Sequence, residues 1–269
     1  MRKKSPVATV LLVIYFVLML LPIYWMINTS LKLDQEILAE MSPVPKHLTF
    51  IHYLEIFSSP VWRSSFINSL IYVCLNVVIT LIAAVPGAYA FSRWEFVGGK
   101  HLFFWLLTNR MAPAAVFIVP FMQLYSSLKL FDTHIAVALA HCLFNIPLAI
   151  WILEGFMSSI PKEIDETAFV DGYGFGKFFM KLFFPLVAPG LGVTAFFCFT
   201  FSWVEVIIAK ALTVTIAKPV VVTLTVGIGA EGVKWGIMAA AGTLTLIPGA
   251  IVVYFVRNYI AKGFALGRV

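Results

Sequence analysis

The chain has 269 residues, of which 61% are hydrophobic and only 12% charged, with a formal charge of +6. A soluble domain is about 45–50% apolar and about 25% charged, so this composition excludes a water-soluble globular protein and describes one whose solvent is a bilayer. Nor does the positive balance indicate nucleic acid, because no basic run exceeds Arg2-Lys3-Lys4 and basic residues also orient membrane spans.

Arg2, Lys3 and Lys4 precede an apolar run over residues 7–31, longer than the ~20 residues that cross a membrane. It begins like a signal sequence, but it is too long and no small-x-small cleavage site follows. It is therefore expected to be an uncleaved first span with its N-terminus in the cytoplasm. Residues 32–65 are more polar, contain Pro43, Pro45 and Pro60, and are expected outside, with an interfacial helix near His52 to Phe57. Asn28-Thr29-Ser30 is a formal glycosylation sequon, but at a membrane border it is not expected to be modified. A second span over 66–91 ends at Arg93, and Gly98-Gly99-Lys100 turns the chain into a third over 102–128, in which Pro113 and Pro120 predict kinks. A fourth span covers 134–157 and contains Pro147.

Residues 160–185 break the apolar pattern. Pro161 suits a helix start, and Glu163, Asp165 and Glu166 follow where the helix dipole favours carboxylates. Gly172, Gly174 and Gly176 interrupt that helix, after which Phe175, Phe178, Phe179, Leu182 and Phe183 recur at helical spacing, with Lys177 and Lys181 on a separate face until Pro185. The prediction is a helix, glycine turn, helix elbow with Asp165, Glu166 and Asp171 exposed; by composition alone it is an ordinary loop. A fifth span covers 186–208, a Thr-, Val- and Gly-rich loop runs to Lys234, and a sixth span covers 235–256.

The fold class is thus an all-α membrane protein of six transmembrane helices, with the elbow between spans four and five. Of the 19 lysines and arginines, eleven fall on the N-terminal side and seven opposite, with Arg110 inside a span. This bias predicts both termini and the elbow in the cytoplasm. Cys74, Cys142 and Cys198 stand singly in apolar stretches without CxxC or His spacing, so they read as buried small residues, and no metal site is expected. The Gly-x-x-x-Gly spacings lie outside or at the edges of the spans and carry little weight as dimer contacts.

Glu166, Ala168, Asp171, Gly172, Phe179, Leu182, Pro185 and Pro189 fall in the order and spacing of the EAA signature of bacterial ABC-importer permeases. Thr167 stands where a second alanine is usual, and Tyr173 where a small residue is usual. Asn68-Ser69, Ala88 to Arg93, Asp132-Thr133, Trp235 to Ala241, and Gly263 with Gly267 resemble the carbohydrate-uptake permeases of the maltose-transporter type. Trp203-Val204-Glu205 resembles the Trp-Asn-Glu of that family, with Val204 replacing the asparagine. The resemblance implies that residues 1–269 form a single transmembrane domain in the bacterial inner membrane. It implies as partners a second homologous permease, two ATPase subunits and an extracytoplasmic binding protein. It also makes the elbow, through Glu163, Asp165, Glu166, Ala168, Asp171, Gly172, Phe175 and Phe179, the docking surface for an ATPase, and it lets the C-terminal tail reach the ATPase dimer.

No GxxxxGK[ST] loop occurs in the chain, nor HExxH or GxSxG. No cofactor is expected on this chain, and ATP and Mg belong to the partner ATPase, so it is not itself an enzyme. Polar groups at membrane depth are costly and belong in a bundle interior or a water-filled path. Arg110 and Glu205 are the charged candidates for a substrate path, Asn109, His141 and Asn145 the neutral ones beside Asn76, and Trp203 and Trp151 are possible stacking faces. The plainer reading of each is a helix-to-helix hydrogen bond or a place near the headgroups, and Arg110 with Glu205 could form an ion pair without requiring one. Such groups suit a sugar or small polyol, and Asn109-Arg110-Met111-Ala112-Pro113 suggests a glycerol-like one. An ATPase-independent sugar or polyol facilitator is the alternative, and an intramembrane enzyme lacks its catalytic set.

Overall fold

The computed structural model describes residues 6–39, 41–225, 228–229 and 232–266. In chain order the helices are α1 (Pro6–Ser30), α2 (Asp34–Ala39), α3 (Ile51–Ser58), α4 (Pro60–Arg93), α5 (Gly99–Asn109), α6 (Ile118–Ser127), α7 (His134–Ser158), α8 (Glu163–Val170), α9 (Phe175–Phe178), α10 (Phe184–Val204), α11 (Ile207–Leu212), α12 (Val220–Thr225) and α13 (Trp235–Leu266). Short strands β1 (Ile228–Gly229) and β2 (Gly232–Val233) pair antiparallel between α12 and α13. Five helical segments among the described residues are long and apolar enough to cross a membrane, in α1, α4, α7, α9 through α10, and α13.

The third expected span differs. Gly99–Asn109 and Ala114–Ser127 are two helical pieces bent by 94°, where a single kinked helix over 102–128 was predicted. Pro113 lacks an N–H and pushes Ala112 out of the helical region. The chain accordingly winds down through short-range bonds from the N–H groups of Arg110, Met111 and Ala112 to Leu107, Thr108 and Asn109, and Pro113 itself is extended. Pro120 lies in the first turn of α6, where a missing N–H costs nothing.

A second correction concerns Pro185, which does not end the elbow. A π turn at Phe179–Phe183 joins α9 to α10, with the Phe184 N–H bonded to the Phe179 carbonyl, and Pro185 sits in the first turn of α10. The widened turn makes room where a proline ring would crowd the preceding carbonyl. Helix therefore continues from residue 175 to 204, ends before Glu205, and is followed by a separate α11. Similarly α4 starts at Pro60, six residues early, and α13 runs beyond 256 to Leu266. The last three residues of the tail, with Gly267 and Arg268, lie outside the described residues, as do Arg2, Lys3 and Lys4.

Two compact units divide the chain, residues 1–64 with 223–248 and residues 65–222 with 249–269. In the first, the apolar side chains of α1 are exposed from Val7 to Tyr24, as suits a helix bathed in hydrocarbon. Glu36 organises the polar segment by accepting from Ser42 Oγ and from the N–H groups of Lys46 and His47. His52 on α3 bonds the Lys32 carbonyl at 2.9 Å. A Cβ at Gly236 would fall 2.1 Å from the His52 ring, so only glycine admits α13 so close to α3.

In the second unit α7 and α10 are the central pair. Small residues let the helices approach, with Ala84, Ala88 and Ala149 fully buried beside Leu153, Met157, Phe178, Phe183 and Val187. A Cβ at Gly190 would lie 2.7 Å from the Phe156 ring. Gly190→Val is therefore expected to destabilise the detergent-solubilised protein by roughly 1–3 kcal/mol, the usual cost of overpacking. Thermal unfolding measures it, and an unshifted transition would mean that α7 and α10 are not in contact there. A buried amide pair crosses the same core: Asn145 Nδ2 donates to Asn76 Oδ1 at 2.6 Å and to the Cys198 carbonyl at 3.2 Å, and Asn76 Nδ2 donates to the Ala138 carbonyl at 2.9 Å.

Candidate functional site

The break between α5 and α6, the middle of α7 and the end of α10 enclose a cavity of about 260 Å³. Its polar lining is Arg110, His141, Asn145, Ser202 and Glu205, and its apolar lining is Ala112, Ala114, Phe144 and Phe201. His141 is engaged on both nitrogens, with Nδ1 2.7 Å from Ser202 Oγ and Nε2 3.1 Å from Glu205 Oε2. Its ring meets Tyr72 edge to face.

Glu205 ends α10 in extended backbone and turns its carboxylate to the start of α11, accepting from the Ile208 and Ala209 N–H groups at 3.0–3.1 Å. Its charge is thus satisfied by His141 and a helix N-terminus. Arg110 is not. Its guanidinium lies 4.3 Å from the centre of the Phe201 ring, one buried Nη has no hydrogen-bond partner, and among the described residues it makes no ion pair. Arg110 and Glu205 do not form the ion pair that their places in the sequence allow without requiring, because Glu205 belongs to His141 and the α11 backbone.

Four of the eight sequence candidates, Arg110, His141, Asn145 and Glu205, therefore share one cavity. Asn109 ends α5 and does not line it. Trp203 is buried and stacks on Phe199 at 5.7 Å, also outside the lining. Trp151 is 51% exposed on the outer side of α7. Asn145 and Asn76 spend their amides on the helix-to-helix network. Phe201 and Ser202 were missed, since a phenylalanine and a serine in an apolar run carry no signal that separates lining from core.

At the elbow, α8 starts two residues after Pro161. Gly172 has φ +80°, which favours glycine. Its N–H bonds the Phe169 carbonyl and that of Tyr173 bonds the Ala168 carbonyl, the paired closure of a helix that ends in a left-handed residue. Tyr173 is thus the residue that completes this closure, and Lys177 covers its ring at 4.8 Å. Glu163, Glu166, Asp171 and Phe175 are exposed, whereas Ala168 is buried and Phe179 half-buried. Asp165 corrects the expectation of exposure: it is buried and paired with Arg93 at 2.8 Å.

Asp132, before α7, forms a feature that the sequence reading left without a role. At φ +57° it aims its carboxylate at four successive N–H groups, those of Val214, Thr215, Ile216 and Ala217, at 3.0–3.2 Å, and at the Thr215 hydroxyl. Burial pushes the carboxyl up, but the backbone donors outweigh it and hold the carboxyl at about 2. Asn68 and Ser69 of α4 fasten the same loop through the Ile216 and Lys218 carbonyls and the Val220 N–H.

The chain is 31% identical over 253 residues to the trehalose transport system permease protein SugB of Mycobacterium tuberculosis, covering 93% of this chain and 92% of that one. It is 28% identical over 260 residues to the diacetylchitobiose uptake system permease protein DasC of Streptomyces coelicolor, covering 96% and 94%. A solved bacterial ABC transporter involved in import of the acidic polysaccharide alginate superposes with a TM-score of 0.79 at 23% identity, over 96% of this chain and 99% of that one. No family model matches the chain. Full-length similarity to sugar-uptake permeases, on an all-helical membrane fold shared with an ABC importer, places the chain in the family of permease subunits of bacterial ABC transporters for carbohydrate uptake.

Proposed function

We propose that this chain is one permease subunit of an ATP-driven, binding-protein-dependent importer that moves a sugar or small polyol across the bacterial inner membrane. The cavity between α5, α7 and α10 carries the reading. Its unpartnered Arg110 nitrogen and the Phe201 ring supply a hydrogen-bond donor and an apolar face, the two things a polyhydroxyl ligand asks for. At about 260 Å³, below the ~300–1,000 Å³ of drug-sized sites, it suits one sugar ring or a glycerol-like polyol at a time. The relatives named for trehalose and diacetylchitobiose favour the sugar class.

The whole chain serves in this reading as one transmembrane domain, with both termini and the elbow on the cytoplasmic side. It works with a second homologous permease, two ATPase subunits that bind ATP and Mg, and an extracytoplasmic binding protein. The exposed Glu163, Glu166, Asp171 and Phe175 form the surface offered to the ATPase. Buried Ala168 and half-buried Phe179 back that surface, and Gly172 sets its turn.

Uptake of labelled sugars and polyols by proteoliposomes holding the assembled complex tests the function. ATP-dependent uptake is expected, and uptake that proceeds without ATP would replace this reading with a facilitator. Glu166→Lys and Gly172→Pro alter the docking surface and no membrane span, so both are expected to leave the subunit in the membrane while uptake and co-purification of the ATPase fall. Normal uptake in both variants would remove the elbow from the coupling path.

A further inference from the structure

The last residue of α4 is the centre of a joint that the elbow's exposed surface does not include. Arg93 Nε donates to Asp165 Oδ2 at 2.8 Å and Nη2 donates to Asp165 Oδ1 at 3.2 Å. Nη1 donates to the carbonyls of Met157 and Ile160, at the open C-terminal end of α7, at 3.0 and 3.1 Å. The Tyr89 hydroxyl donates to Asp165 Oδ2 at 3.0 Å, and the guanidinium lies 4.9 Å from the centre of the Phe183 ring. Both ionic side chains are almost wholly enclosed, at 5% and 9% exposure. One planar group thus joins the end of α4, the end of α7, the first elbow helix and the π turn.

Only an arginine can make this joint. A fork that meets both oxygens of a carboxylate while its other arm bridges two carbonyls needs fixed, planar, divergent donors, and a lysine ammonium offers none of that geometry. Taking both charges out of water is expensive, so a pair of this kind is weak evidence for stability and better evidence for a fixed geometry.

We propose that Arg93 is a positioning residue for transport: through Asp165 it locks the elbow to α4 and α7 as one rigid body, so that displacement of α8 is passed to two membrane helices without slack. This rests on the reading of the elbow as the ATPase docking surface. It takes Asp165 out of that surface and leaves contact with the ATPase to Glu163, Glu166, Asp171 and Phe175.

The test uses the assembled transporter in proteoliposomes, with Cys74, exposed where burial was expected, replaced by serine and spin labels on cysteines at Glu95, just beyond α4, and at the exposed Val170, the last residue of α8. With Arg93 intact, the label-to-label distance is expected to be the same in the nucleotide-free and vanadate-trapped states. With Arg93→Lys it is expected to broaden and to differ between them. Substrate moved per ATP hydrolysed by each assembled complex should fall about tenfold in that variant, within the range that a coupling free energy spans. A merely structural pair would lower the amount of complex and leave that ratio unchanged. An unchanged ratio in Arg93→Lys, or a distance that already changes between states with Arg93 in place, overturns the proposal. The distance measurement needs no variant at Arg93, so it decides even where Arg93→Lys fails to assemble. If the unaltered complex shows no substrate-stimulated ATP hydrolysis, the importer reading itself fails, which is a different result from a coupled complex indifferent to Arg93.

Discussion

Asp132→Ala is expected to lower the stability of the solubilised protein by roughly 1–3 kcal/mol, because it strips the acceptor from the buried Ala217 N–H as well as from the part-buried donors at 214–216, and the loss of a buried one costs about 1–3 kcal/mol. The four N–H groups at 214–217 and the Thr215 hydroxyl all converge on this one carboxylate. Asp132→Asn, which keeps one oxygen, should fall between the two. Acid provides a second measure. Since the carboxyl is held at about 2 against an ordinary 3.8, its contribution is fully present above pH 3.8 and is lost as pH falls through 2. Acidification across that window should remove about 2 kcal/mol in the wild type, at 1.36 kcal/mol per unit. Asp132→Asn should lack this acid-sensitive component. Equal melting temperatures for wild type and Asp132→Ala at neutral pH would show that the loop is held by something else.

Arg110→Ala is expected to cut uptake by about ten- to a hundredfold, the equivalent of one charge-assisted hydrogen bond of roughly 1.5–3 kcal/mol, while assembled complex stays near the wild-type amount. The two outcomes separate because Arg110 holds no carboxylate among the described residues: Glu205 keeps His141 and its backbone donors when Arg110 is gone. Loss of assembly would mean that Arg110 ties the subunit to a partner, and full uptake would remove it from the route altogether. Arg110→Lys should recover part of the activity, since it restores the charge without the fork.

The membrane segments were legible because a bilayer imposes one length on every helix that crosses it. Residues 7–31 and 134–157 could be bounded closely from composition alone. Proline effects were legible in kind and not in degree. Pro113 broke a span where a kink was expected, as three further residues unwound before it, whereas Pro185 did less than expected, because a π turn absorbed it. The cost of charge in lipid drew Arg110, His141, Asn145 and Glu205 out of the apolar background, and these four line one cavity. The partnerships were not legible. Nothing in an acidic first turn tells which of Glu163, Asp165 and Glu166 faces inward, since the answer depends on an arginine 72 residues earlier in the chain. Asp132 likewise takes its meaning from backbone more than 80 residues later.

α4 holds both of those distant attachments on one piece of backbone. Asn68 and Ser69, near one end, grip the loop that Asp132 gathers, and Arg93, at the other, grips the elbow. The 25 steps from Asn68 to Arg93 measure about 37 Å at 1.5 Å per residue, longer than the ~30 Å of bilayer hydrocarbon. Such a helix is a beam supported at its middle by the core of Asn76, Ala84 and Ala88, and a tilt of about 10° swings each end by about 3 Å in opposite senses. In the importer reading, the loop that Asp132 gathers and the elbow that Arg93 grips are therefore joined through a single helix, whose interior proline is Pro86.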